Sequence, residues 1–394
     1  MADISIPSIG GARDRDAFTV ETLAGPKARA RKESAIRSIF FAAAFMAIVV
    51  SVAIVASLLR ETYTFVTEVD WSKTWGQNGW FPRNSVFDMP TLLVSSLIVT
   101  VVAMLVAGPL GLGSAIYLSE YASKRTRSFL KPVLEVLAGV PSVVLGFFAL
   151  FFISPQVIER IGRNGWLVIG AVIFIAYVVF VAVWARNLVR REAGTAISTQ
   201  VKRIVTLTIL VAGALILIWW INDVAGSADP TADNAFTMKR SGQLAAAAVG
   251  VGILTIPLVA SVSEDALAAV PKELRDASAG LGARKMTTTI QVVLPAAISG
   301  IVAAFIIGIS RALGETMVVF MAGGAADAAL FNSSPFEGGL TMTAAMASIS
   351  GTDNVVGEGL TVEAIYFVGS VLFLLTLVLN IVAGRFVNRV RERY

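Results

Sequence analysis

The chain has 394 residues, 56% of them hydrophobic and only 15% charged, so a soluble domain of this length would have too little polar surface to cover itself. Cys and His are both absent, which removes disulfides, thiolate chemistry, imidazole metal sites and histidine acid/base catalysis together. The formal net charge of +5 comes in short basic segments between apolar runs, a pattern of membrane topology and not of nucleic-acid binding.

Residues 1–35 are polar and end in "PKARARKES", which reads as a flexible basic tail in the cytoplasm. The run after it, "IRSIFFAAAFMAIVVSVAIVASLL", exceeds the apolar centre of a secretory signal, so it is expected to stay as a first span. Residues 36–90 then hold that span and an outside loop, where the tryptophans of "DWSKTWGQNGWFPRNS" suit the headgroup layer. Further spans are expected near 91–118, 132–153, 165–185, 204–221, 242–262, 296–323 and 363–384, eight in all. The expected fold is an all-α polytopic helical bundle, since barrel strands would be short and alternating. With the amino terminus inside, the segments on the inner side hold most of the 32 Lys and Arg residues, which places both termini in the cytoplasm.

Between the sixth and seventh spans, residues 263–295 include "PKELRDASAGLGARKMTTTIQVVLP". Pro271 suits a first helical turn, Glu273 its positive end, and Gly280 and Gly282 its stop, after which a second short helix can begin. The small residues Ala277, Ser278 and Ala279 leave room for another surface. Local physics fits a compact docking element or a plain amphipathic connector.

The seventh span carries two charges inside the apolar run from Ala296 to Met321, Arg311 and Glu315 in "ISRALGETMVV". Gly300, Ala304, Gly308, Arg311 and Glu315 recur at helical spacing, so one face is expected to pack closely on a neighbour and turn its charges away from lipid. An intramembrane Arg costs at least about 2.5 kcal/mol on insertion scales and demands a compensating role. Arg311 and Glu315, four residues apart, can pair along the helix, and two readings fit: a structural clasp between helices, or an anion site built on the planar guanidinium. In the second, Glu315 accepts a hydrogen bond from a protonated phosphate oxygen and rejects sulfate, which has no such proton. Pro141 and Ser142 in "AGVPSVV" fit a break that exposes backbone to a pathway, or a simple kink. Glu120 and Glu135 are expected near the inner ends of their spans, reaching water or basic neighbours.

The stretch "DASAGLGARKMTTTIQVVLP" resembles the cytoplasmic loop of ABC importer permeases, with Asp276, Ala277 and Ser278, then Gly282, then Leu294 and Pro295 in the positions of that loop pattern. "RALGETM", "AIYLSEYAS" and "GVPSVVLGFFALF" resemble the phosphate-specific members, in particular the PstC-type subunit. The resemblance covers roughly residues 90–155 and 240–390. It implies a type I ABC importer permease fold with permease core at 91–155 and 241–394, a loop that docks on a cytosolic ATPase dimer, a second permease subunit of the PstA type, and a phosphate-binding protein that delivers substrate. It implies that Arg311 and Glu315, with Thr316 and Ser142, line the substrate pathway in a prokaryotic inner or plasma membrane. The chain itself is expected to bind no cofactor, ATP and Mg being held by the partner; it contains no Gly-x-x-x-x-Gly-Lys-Ser/Thr loop. Residues 156–240 depart from the usual six spans and read as an inserted hairpin. The alternatives are a permease for another oxyanion or small solute, and a sensory or scaffold protein of the same fold.

Overall fold

The computed structural model describes residues 27–76, 78–158, 161, 165–166, 168–175, 177–178, 181, 208, 211–222, 242–324, 330–350 and 360–390. Most of the proposed tail and much of the 156–240 hairpin lie outside them. Among the described residues five helices are long and apolar enough to cross a membrane, or six when one bent pair is counted as a span. These spans make an all-α, polytopic membrane protein.

Helix α1 runs Lys27–Glu68, so residues 27–35 continue the first span and are no tail; Ala, Lys, Arg and Glu there are strong helix formers. From Lys32 to Arg60 its side chains are mostly exposed, as lipid-facing apolar residues are. Residues 61–68 make specific contacts: Thr62 shares a 2.7 Å hydrogen bond with Ser370, and the Phe65 ring stacks 4.7 Å from Phe367. A one-turn helix α2 (Trp71–Thr74) and a two-stranded antiparallel ribbon follow, with Trp80 opposite Phe87 and Phe81 opposite Val86. The headgroup expectation for this loop fails at Trp80, which is buried against Phe87, while Trp71 and Trp75 are exposed.

The core of residues 61–394 is built on two long helices, α3 (Met89–Ile116, prolonged by a π-helical turn Tyr117–Tyr121) and α6 (Leu244–Ala268). Glycines let them touch: a Cβ on Gly111 would come within 2.9 Å of Val259, and one on Gly252 within 3.0 Å of the Ala103 carbonyl. Without a hydrophobic drive between helices in lipid, such close approach is what holds a bundle together. Helix α9 (Leu294–Leu313) packs on both, with Gly308 against Val259 and Met104 and Gly300 against Ala266, as its small face leads one to expect.

The amino terminus of α6 is buried and has no side-chain cap. Carbonyls from two other segments take its N–H groups: Gln243 donates to Ala322 (2.8 Å), Leu244 to Glu337 (3.0 Å) and Ala245 to Pro335 (2.6 Å). Gly242 permits this at φ +100, where a Cβ would strike Gly324 and the Ala322 carbonyl.

Two expected spans are broken. The 132–153 span is really α4 (Lys124–Ala138) and α5 (Ser142–Phe148, prolonged to Ile158 as π-helix), bent by 86° at Gly139–Pro141. Pro141 lacks an N–H and holds φ −59, ψ 131, which ends helical geometry. The 296–323 span divides into α9 and α10 (Met317–Ala322). Helix α9 also begins earlier than expected, continuing without interruption from Lys285. A short α11 (Met342–Ser350) and the last span α12 (Thr361–Val390) complete the described core.

Candidate functional site

Gly314 closes α9, its N–H turning back to the Ser310 and Ala312 carbonyls, and the chain resumes helical form only at Met317. Arg311 is exposed in the last turn of α9, while Glu315 and Thr316 are half-buried in the break. The expected pair of charges along one helix is therefore not carried: Glu315 lies beyond the end of α9. Among the described residues neither the guanidinium nor the Glu315 carboxylate has an ion-pair partner. The pairing along one helix is absent, and no partner of the Arg311 N–H donors lies among the described residues.

Irregular backbone at membrane depth persists where it is buried in protein or lines a wet cavity. Here α5 and α6 close one side of the break: a Cβ on Gly146 would sit 3.2 Å from the Met317 carbonyl, and one on Gly250 3.0 Å from Val318. Ser142, half-buried at the start of α5, is one turn from Gly146, so the structure brings its helix to α10. No hydrogen bond among the described residues joins Ser142 to Arg311, Glu315 or Thr316. Ser310 Oγ lies 3.4 Å from Asn380 Oδ1, which ties the end of α9 to α12.

The second element is at the other end of α9. Helix α7 (Lys272–Gly280) starts after Pro271 and ends where Gly282 takes φ +79; a short α8 (Lys285–Thr288) leads into α9. This is the two-helix element expected from the loop, with Asp276, Ala277 and Ser278 on α7 and Leu294 and Pro295 opening α9. Ala283 N–H donates to the Ser278 carbonyl (3.1 Å), and Ser278 Oγ lies 2.9 Å from Thr288 Oγ1, so the turn is hydrogen-bonded across both helices. Leu281 is 90% exposed and Met286 64%, so the element presents apolar side chains at its tip.

A Cβ on Gly282 would meet nothing within 4 Å, so Gly282→Ala tests backbone strain alone. The substitution is expected to destabilise this turn by roughly 1 kcal/mol, read as faster proteolysis at 280–284 with the spans intact.

Arg275 fastens α7 to the bundle. Its guanidinium pairs with Glu120 at 2.9 Å and donates to the carbonyls of Val270 (2.6 Å) and Leu267 (2.8 Å). Of the two carboxylates expected to reach water or basic neighbours, Glu120 pairs with Arg275 and Glu135 is exposed. Sequence reasoning missed Glu264, which is 1% exposed on α6 and pairs with Arg127 and, at 2.9 Å, Lys131 of α4. Its signal was present: an acidic pair, Glu264–Asp265, ends one apolar run on the same expected side as "SKRTRSFLK".

Residues 201–392 match the family model described as "Binding-protein-dependent transport system inner membrane component". The chain is 25% identical over 345 residues to the phosphate transport system permease protein PstC of Pasteurella multocida, covering 86% of this chain and 87% of that one. It is 28% identical over 312 residues to PstC 1 of Mycobacterium tuberculosis, covering 78% and 75%. It is 26% identical over 279 residues to the probable ABC transporter permease protein YqgH of Bacillus subtilis, where the match takes in 71% of this chain and 63% of that protein's length.

Proposed function

We propose that this chain, an inner-membrane component of the binding-protein-dependent transport class over residues 201–392, is the PstC-type permease subunit of an ATP-driven importer of inorganic phosphate. The observation that carries the reading is Arg311, a membrane-embedded cation without a carboxylate partner among the described residues, at a break in a chain similar to PstC proteins along most of its length. Phosphate passes the break with the guanidinium on its oxygens and Glu315 accepting a hydrogen bond from the protonated oxygen of a monohydrogen phosphate; sulfate offers no such donor. Thr316 and Ser142 line the same passage.

The remaining components follow from this assignment. A PstA-type subunit completes the membrane pair, a phosphate-binding protein delivers the anion, and a cytosolic ATPase dimer holding ATP and Mg drives the cycle. Its docking point is the α7–α8 element, with the Leu281 tip leading. Both termini then lie in the cytoplasm.

Topology has a direct test, because the chain has no native Cys. Leu281→Cys is expected to resist an impermeant thiol reagent in intact cells, to react in inverted vesicles, and to be protected when the ATPase is bound. Labelling in intact cells would reverse the orientation. The function is tested by uptake of radiolabelled phosphate into vesicles holding the assembled complex, with binding protein and ATP supplied. ATP-dependent uptake that excess sulfate leaves unchanged is expected; uptake of sulfate with no movement of phosphate would refute the assignment.

A further inference from the structure

A break in a membrane helix frees carbonyls that would otherwise accept from the following turn. At Glu315 the replacement donor comes from 28 residues along the chain: Thr343 Oγ1 donates to its carbonyl at 2.8 Å. Among the described residues no other donor reaches that oxygen.

The direction of the neighbouring bonds follows from proton count. A hydroxyl has one proton. Thr343 uses its own on Glu315, so in the 3.2 Å contact between Thr341 Oγ1 and Thr343 Oγ1 the donor is Thr341. Thr341 Oγ1 in turn accepts from the Ala344 N–H at 3.3 Å. The result is a one-way chain, Ala344 N–H to Thr341 to Thr343 to the Glu315 carbonyl, whose members polarise one another. Both threonines are buried, at 3% and 7% exposed, so water is poorly placed to substitute.

The same turn is anchored on its far side. Met342 N–H donates to Ser96 Oγ at 3.0 Å, and Ser96 donates to the Leu92 carbonyl at 2.7 Å. The start of α11 is thereby pinned to α3, the central helix, and reaches from there to the break.

We infer that Thr343 is a positioning residue of the anion pathway: it holds the Glu315 backbone to the fixed start of α11 and so aims the Glu315 side chain, without itself touching substrate. The inference rests on the reading of Gly314–Thr316 as the passage.

Thr343→Val keeps shape but removes the donor, leaving both the Glu315 carbonyl and the Thr341 hydroxyl unsatisfied; Thr343→Ser keeps every bond. Phosphate uptake per assembled complex is expected to fall about tenfold in the Val variant and to stay within about twofold of the parent in the Ser variant, the scale of one buried hydrogen bond. A second readout needs no transport. Glu315→Cys, the single thiol in the chain, is labelled in the purified complex by a small thiol reagent, alone and combined with each Thr343 variant. A labelling rate changed at least threefold by Val and unchanged by Ser supports the positioning role, even if the parent complex proves to carry another solute. Equal labelling rates in all three overturn it. A lower yield of complex with normal uptake per complex also overturns it, since that result describes a packing residue.

Discussion

Arg311→Ala is expected to reduce phosphate uptake per assembled complex by at least about a hundredfold, the scale on which losing a charged, directly bonded group registers, while complex yield stays near that of the parent. Assembly survives because Arg311 is exposed in this chain and α9 packs through other residues: Gly300 on Ala266, Gly308 on Val259 and Met104, and Ser310 beside Asn380. Among the described residues no carboxylate is stranded by the change, since Glu315 is not its partner. Arg311→Lys restores the charge without the planar fork and is expected to recover only a small part of the activity. Changing both Arg311 and Glu315 to neutral residues should leave uptake as low as in Arg311→Ala. A clasp would behave otherwise, with yield falling in the single variant and both yield and uptake returning in the double. The measurement is uptake normalised to complex in the membrane; normal uptake in the double variant would remove the anion site.

What could be read from the sequence divides along the range of the interactions involved. The α7–α8 element was legible residue by residue, because Pro271, Glu273 and the φ +79 turn at Gly282 act on their immediate neighbours. The small face of α9 was legible for the same reason: periodicity within one helix reports what the helix must pack against. The break after Leu313 was hidden, since an apolar run from Ala296 to Met321 looks the same whether continuous or interrupted, and Gly314 alone does not stop a membrane helix. The right-angle turn at Gly139–Pro141 was half visible: proline signalled an interruption, while its 86° depended on where α4 finds Glu264 and Asp265. "GGLTMTAAM" carries small polar residues with no periodic signal. Folding shows their use, for Thr341 and Thr343 are buried and spend their hydroxyls on backbone. Long-range polar contacts of this kind leave no periodic trace, and the pairs Arg275–Glu120 and Glu264–Lys131 were missed or only partly foreseen on the same ground.

Arg275→Ala is expected to uncouple the transporter. The side chain joins two parts of the bundle to the α7–α8 element, through Glu120 at the π-helical end of α3 and the carbonyls of Leu267 and Val270 at the end of α6. Glu120 is 8% exposed, so removing its partner leaves a largely buried carboxylate uncompensated, a defect of roughly 3–5 kcal/mol at full burial. Movement of α7 then no longer carries α3 with it, although α7 itself keeps its own helical bonds and its turn at Gly282. The expected result is a complex in which the ATPase still binds, hydrolysis is no longer stimulated by the loaded binding protein, and phosphate uptake falls at least about tenfold. Glu120→Gln separates charge from geometry, because its amide oxygen can still accept from the guanidinium; uptake should remain within a few-fold of the parent there. The double variant, Arg275→Ala with Glu120→Ala, removes the stranded carboxylate and should recover yield without recovering stimulation, since the strut is still missing. Hydrolysis measured with and without binding protein, beside uptake, decides the matter. If the double variant regains full stimulation, Arg275 serves only to neutralise Glu120, and the path from docking element to membrane helices runs elsewhere, through the continuous helix from Lys285 to Leu313.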